Sequence, residues 1–199
     1  MAVRQLWSAI KVGIAAISLL LLGFQAAVSA APATGAQSSV RVYLMRGFAN
    51  VFSLGMDELA AKLRARGIPA DAYNHLFGSA LAAEAAAGYK SGKIKKIVLI
   101  GHSLGADAVV GMVEQLGQQG VPVALAVTMD ISSETVTDGI VGKFLNYYVA
   151  TGALKAGPRF HGSITNIDVS KKVTSINHFT IDKNEIVQRQ ILANIAAAR

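Results

Sequence analysis

The pentapeptide Gly101-His102-Ser103-Leu104-Gly105 joins two segments of different period. Ahead of it, Ile94 to Ile100 reads as a buried strand, apolar without a break from Ile97 to Ile100 after the edge lysines Lys95 and Lys96. Behind it, Leu104, Ala108, Val109, Met112, Val113 and Leu116 recur at helical spacing and make a broad apolar face. The pattern G-x-S-x-G alone arises by chance in roughly one in ten chains of this size, and the strand before it and the helix after it are what make it specific. Placed so, Ser103 sits alone on a tight strand-to-helix turn, where flanking glycines are needed because other side chains would clash. The competing reading is an ordinary glycine-rich turn. In either case a strand with consecutive apolar residues from Ile97 to Ile100 is buried on both faces, which requires cover on both sides of the sheet.

The rest of the chain repeats that alternation. Val40 to Met45 reads as a buried strand, and Met56, Leu59, Ala60 and Leu63 mark a helix stopped at Gly67. Ala70 to His75 is a weaker strand, Ser79 to Tyr89 an alanine-rich helix, Val121 to Met129 a central strand and Ser163 to Val169 the last one. Ile186, Val187, Ile191 and Ile195 give a terminal helix that Asp182 could cap. Residues 131–160, with several glycines and the pair Tyr147 and Tyr148, show no clean period and read as an insertion over the site. The expected architecture is α/β, a three-layer sandwich with a mostly parallel central sheet.

A serine hydroxyl is a weak nucleophile and needs a base to take its proton, with a third group to orient that base. At this point the chain resembles the α/β-hydrolase family, in particular its small lipase-like and thioesterase-like members. The resemblance spans residues 40–199 in order of elements, with the elbow around Ser103 as its specific motif. It implies a reduced α/β-hydrolase fold in which Val40 to Met45 takes the place of the third strand. It also implies the chain order serine, acid, histidine. Only His161 and His178 follow Ser103. His178 falls in the loop between the last strand and the last helix, where the family carries its histidine, whereas His161 precedes the last strand at the wrong end of the sheet.

Two aspartates end strands beyond Ser103. Asp130 corresponds to the position used by lipases whose acid follows the sixth strand and is preferred, because its strand is the more buried-looking; Asp168 corresponds to the commoner position and is the alternative. The resemblance assigns the oxyanion donors to the backbone N–H groups of Leu104 and Phe48, the latter in Arg46-Gly47-Phe48, where Arg46 stands in place of the usual histidine. Leu54, Phe144 and the tyrosines would suit an acyl substrate; Asn146, Tyr147 and Tyr148 could line a groove for it, although aromatic pairs in such a segment more often pack against the body.

The N-terminus has to be set aside from the fold. Arg4 and Lys11 precede an apolar run from Val12 to Gly23, and Val28-Ser29-Ala30 offers small residues for cleavage, so residues 1–30 read as a signal peptide and 31–39 as a linker before the domain at 40–199. A retained membrane anchor is the other reading of the same segment, and the only expected route to membrane contact. The formal charge of +7 falls to +5 without Arg4 and Lys11. Its lysines cluster at apparent loop and strand edges without interleaved aromatics, which argues against nucleic acid. No metal-binding, nucleotide-binding or cysteine motif is present, so no metal and no cofactor are expected. The expected function is an exported serine hydrolase, periplasmic or secreted, cleaving a carboxylic ester or thioester of a small-molecule or lipidic acyl substrate. The alternative is a non-catalytic cell-envelope binding protein that keeps the fold.

Overall fold

The computed structural model describes residues 39–48, 53–133, 136–149, 152–171 and 175–198. The expected leader, and the linker up to residue 38, lie outside them. Among the described residues no helix is long and apolar enough to cross a membrane.

In chain order the elements are β1 (Val40–Arg46), α1 (Leu54–Arg64), β2 (Ala70–Asn74), α2 (Gly78–Lys90), β3 (Lys96–His102), α3 (Leu104–Gln118), β4 (Val123–Met129), β5 (Val136–Tyr148), β6 (Lys155–Asp168) and α4 (Glu185–Ala197), with short 3₁₀ turns at His75–Phe77 and Ile181–Lys183. The strands form one six-stranded sheet in the order β2-β1-β3-β4-β5-β6, and every neighbouring pair is parallel.

Alternate residues of the central strands feed two separate cores. Val42, Leu44, Val98, Ile100, Leu125 and Val127 pack with Met56, Leu59 and Leu63 of α1 and Val187, Ile191 and Ile195 of α4. Tyr43, Met45, Ile97, Leu99 and Ala126 pack on the other face with α2 and with Val109, Met112, Val113 and Leu116 of α3. A Leu or Ile buried this completely contributes roughly 1.5–3 kcal/mol, and the period of two explains why these strands read as unbroken apolar runs. The chain leaves β1 outward to β2 and then returns to β3 on the other side of β1. The carboxyl ends of β1 and β3 therefore flank the point where successive connections diverge, which is where open α/β sheets place their ligand crevice.

Residues 131–160 are not an insertion over the site. They hold β5 and the first half of β6. The pairing of these two strands runs in parallel from Val136 with Lys155 to Tyr148 with Asp168. Straight strands paired this way would leave the end of β5 about 40 Å from the start of β6, and the link 149–154 spans about 25 Å at full stretch. Both strands therefore turn back on themselves, at Gly139 and Gly162, whose φ angles are 115° and 137°. Register shifts fall between Thr137 and Gly139 and between Val141 and Phe144. The first limb of β5 and the residues before it make the crossover along α3: the Ser132 and Ser133 N–H groups donate to Asp107 near the helix start, and the Asp138 N–H donates to Glu114 near its end. The second limb pairs with β4, Val141 lying opposite Val123 and Tyr147 opposite Met129.

The terminal helix is capped by Asn184, whose side chain accepts from the Ile186 and Val187 N–H groups. Asp182, the cap expected from sequence, is instead drawn into the buried 3₁₀ turn, where its carboxylate accepts from the Gly55 N–H at the start of α1.

Candidate active site

β3 hands over to α3 through Ser103 alone. Ser103 has φ 57° and ψ −128°, a conformation that costs a residue with a Cβ about 1–3 kcal/mol. It persists because its own backbone N–H and carbonyl are both pinned. The Ser103 N–H donates to the Met129 carbonyl at 3.0 Å, and its own carbonyl accepts from the Ala106 N–H at 2.7 Å and the Asp107 N–H at 3.2 Å. The flanking glycines are required by close approach: a Cβ on Gly101 would land on the Gly105 backbone, and one on Gly105 would land on the Met45 carbonyl of β1. The turn lifts the Ser103 side chain out of the sheet at its carboxyl end.

The next strand ends in a second positive φ, 52° at Asp130. Its N–H donates to the Tyr147 carbonyl at 2.8 Å, and its carboxylate, fully buried, accepts from the Val149 N–H at 3.0 Å. Its other oxygen lies 2.6 Å from His178 Nδ1. A carboxylate only accepts, so Nδ1 carries the hydrogen and Nε2 presents its lone pair. That lone pair faces Ser103 Oγ at 3.1 Å, so the serine hydroxyl is the donor. Ser103, His178 and Asp130 thus form one hydrogen-bonded line from a half-exposed hydroxyl to a buried carboxylate.

Asp168 is not part of it. Its carboxylate accepts from the Ser170 N–H and hydroxyl and pairs with Lys171 at 3.2 Å, contacts that hold it below the ordinary carboxylate range, the Ser170 hydroxyl foremost. A further strand, β5, separates it from β4 in the sheet. His161 lies within β6, beside Ile140 of β5. It lines a hollow of about 600 Å³ with Lys96 and Val123, at the amino end of the sheet and opposite Ser103.

Leu104 heads α3, where first-turn N–H groups have no acceptor within the helix. The loop after β1 lies directly on the elbow, because a Cβ on Gly47 would stand 3.0 Å from the Ser103 Cβ and 3.0 Å from the His102 carbonyl. Glycine there lets the Phe48 end of the loop close over the turn. Arg46 is committed elsewhere: its guanidinium holds Asp57 of α1 at both oxygens. That hydrogen bonding raises Arg46 and lowers Asp57 from their ordinary values.

The expected acyl-lining set changes. Phe144, Tyr147 and Asn146 are fully buried, Asn146 between Thr128 and Asn166, so they belong to the core. Exposed large apolar side chains follow the carboxyl ends of the strands instead: Phe48, Leu54, Leu76, Phe77 and Phe179. Phe179 packs edge-on against the His178 ring at 5.4 Å. Sequence reasoning also passed over His102 and Ser53, both buried, and Ser132, whose hydroxyl is 3.4 Å from Ser103 Oγ. The available signal was a polar residue, His102, ending a strand otherwise buried and apolar, since such a group must find partners. Among the described residues no group of three or more His, Cys, Asp or Glu side chains is placed to hold a metal ion.

No protein-family model matches the chain, and no curated protein matches it. Among solved structures, one from Xanthomonas campestris pv. campestris, named provisionally as a hydrolase of the alpha/beta superfamily, is similar over 79% of this chain and 98% of its own, at 15% identity and a TM-score of 0.49.

Proposed function

We propose that the protein is a serine hydrolase of the α/β-hydrolase kind, cleaving a carboxylic ester or thioester through an acyl-serine intermediate. The observation that carries this reading is the continuous line from Ser103 Oγ through His178 to the buried Asp130, at 3.1 Å and 2.6 Å. Ser103 Oγ attacks the acyl carbon as its proton passes to His178 Nε2. Asp130 keeps the ring in the tautomer that can accept that proton and stabilises the imidazolium that results. Negative charge collects on the acyl oxygen, which the Leu104 and Phe48 N–H groups would receive. Collapse expels the alcohol or thiol, which takes the proton back from Nε2. Water, activated by the same nitrogen, then releases the acid.

Exposed Phe48, Leu54 and Phe179 favour an acyl or lipidic substrate. The leader expected over residues 1–30 adds export to the proposal, with the enzyme acting in the periplasm or outside the cell.

The test is labelling with a fluorophosphonate, mapped by peptide mass, alongside turnover of p-nitrophenyl esters and acyl thioesters of several chain lengths. The parent protein is expected to label at Ser103 and turn over at least one series. Ser103→Ala is expected to fold like the parent, to lose labelling, and to lose at least about a thousandfold in kcat, the scale of a missing triad member. A parent that neither labels nor turns over any ester would mean a binding module on this fold.

A further inference from the structure

Two buried polar side chains, His102 and Ser53, take no part in the chemistry just described, yet their hydrogen bonds join its two loops. His102 ends β3 next to Ser103 and is 1% exposed; Ser53, just before α1, is also 1% exposed. His102 Nε2 lies 2.7 Å from the backbone carbonyl of His178. A carbonyl cannot donate, so Nε2 carries the hydrogen. His102 Nδ1 lies 2.9 Å from Ser53 Oγ. Burial is the largest influence on this ring and holds it down to about 4, so near neutrality it is uncharged and Nδ1 offers a lone pair to the Ser53 hydroxyl. Ser53 Oγ in turn accepts from the Gly47 N–H at 2.9 Å. The directions are then fixed from end to end: Gly47 N–H to Ser53 Oγ, Ser53 O–H to His102 Nδ1, and His102 Nε2–H to the His178 carbonyl.

Gly47 adjoins Phe48, the proposed oxyanion donor, and His178 is the proposed base. We infer that His102 and Ser53 are positioning residues that lock the oxyanion loop and the histidine loop into one register. The inference rests on the serine-hydrolase reading for its catalytic consequence, and on the hydrogen-bond chain alone for its structural one. The need for such a lock is visible in the fold. Ser103 and Asp130 are held by strand ends, whereas His178 and Phe48 lie on loops outside any strand or helix. A misplacement of about 1 Å at a reacting group costs on the order of a hundredfold in rate.

A merely structural histidine would be sensitive to volume and indifferent to which of its two bonds survives. His102→Gln places an amide donor near the former Nε2 and keeps the bond to the His178 carbonyl. His102→Asn is too short to reach that carbonyl and keeps the Ser53 side. The Gln variant, which cuts the Ser53 link but still ties His178, is expected to lose about 3- to 10-fold in kcat, and the Asn variant, which releases the His178 loop, about 30- to 100-fold, with KM within about threefold in both. Ser53→Ala, which breaks the chain in its middle, is expected to fall between them, and Ser53→Thr, which restores the hydroxyl, to recover.

Proton NMR of the free protein supplies a readout independent of turnover. The strongly deshielded proton of the His178–Asp130 hydrogen bond is expected to persist in the Gln variant and to broaden or shift in the Asn variant. Equal kcat and an unchanged resonance in Gln and Asn variants would overturn the inference, as would losses that simply track melting temperature. If the Asn variant does not fold, the Ser53 pair carries the same decision, and equal activity of Ala and Thr overturns it. A parent that fails to label with fluorophosphonate while the resonance still responds to these substitutions would leave the lock standing and remove the hydrolase reading.

Discussion

In the half of the sheet formed by β2, β1, β3 and β4, helices make every crossing between strands; in the half formed by β5 and β6, the strands fold back and make their own. The contrast decides where the site's atoms can be held. Helical crossings leave strand ends as tight, heavily bonded turns, and Ser103 and Asp130 both occupy such ends with positive φ. The folded-back half delivers His178 on a loop, after β6 has ended at Asp168. Two members of the candidate triad are thus fixed by backbone geometry, and the third by hydrogen bonds to side chains from the other half.

The largest effect that could break this comparison concerns the acid. Asp130 terminates the helically crossed half and Asp168 the folded-back half. Asp130→Asn replaces the acceptor-only carboxylate facing His178 Nδ1 with an uncharged amide that can present a donor instead, so the Nδ1–H tautomer is no longer enforced, and it is expected to lower kcat by about 10³- to 10⁴-fold, or roughly 4–5.5 kcal/mol of barrier. Asp168→Asn is expected to stay within about twofold, since its partners are Ser170 and Lys171. Steady-state kinetics on both variants, with circular dichroism as the folding control, decides between them. The larger loss at Asp168 would move the acid to the other half of the sheet.

A smaller effect sharpens the comparison through glycine. A Cβ at Gly105 would strike the Met45 carbonyl, and one at Gly162 the Val141 carbonyl, where φ is already 137°. Each Ala substitution is expected to cost about 2–4 kcal/mol in urea unfolding. Only Gly105→Ala is expected to lower kcat as well, because it pushes β1 away from the elbow and carries Phe48 with it, while Gly162 lies at a bend far along β6 from His178. Equal kinetic losses would mean that the two halves are not separable.

How much of this was legible in the sequence follows the same division. The elbow, the four strands of the first half and the four α-helices among the described residues declared themselves because each is set by a local period that burial on two faces or one stripe imposes. β5 was not legible. Val136 to Tyr148 is interrupted by Gly139 and Gly142, and its bends break the alternation into pieces too short to register. Along β6 exposed and half-buried residues are mixed without a strict period, as on an edge strand. The candidate triad could be named from chain order and strand ends, but Phe144 and Tyr147 could not be separated from true surface aromatics without the sheet that buries them. The bonds from Ser53 to His102 and from His102 to His178 join residues 49 and 76 positions apart in the chain, and no spacing rule reaches them.

The smallest effect tests the seam between the halves. Asp182 follows the histidine loop and reaches across to α1, its carboxylate accepting from the Gly55 N–H at 3.0 Å while its buried Oδ1 has no hydrogen-bond partner among the described residues. Burial is the foremost influence and pushes this carboxyl up to about 6 from its usual 3.8. The folded protein therefore binds this proton more tightly than the unfolded chain between these values. Its contribution to stability is greatest below about 4, declines as pH rises through the folded value near 6, and stays reduced above it. His102 acts in the opposite sense, because its value is lowered from 6.5 to about 4: the unfolded chain takes up that proton first, so stability is lost as pH falls through the same window. The two slopes oppose each other and flatten the parent's profile between about pH 4 and 6. Asp182→Asn keeps an acceptor for Gly55 but leaves a buried amide donor unpaired, so its absolute stability mixes two effects. The pH dependence of the difference isolates the charge. Relative to the parent, the variant is expected to gain on the order of 1–2 kcal/mol between pH 4.5 and pH 7.5, and its own stability to fall more steeply on acidification because the His102 slope is no longer opposed. Urea unfolding at the two pH values measures both. A parent-to-variant difference that does not change with pH would mean that Asp182 is not charged against its burial in the folded protein.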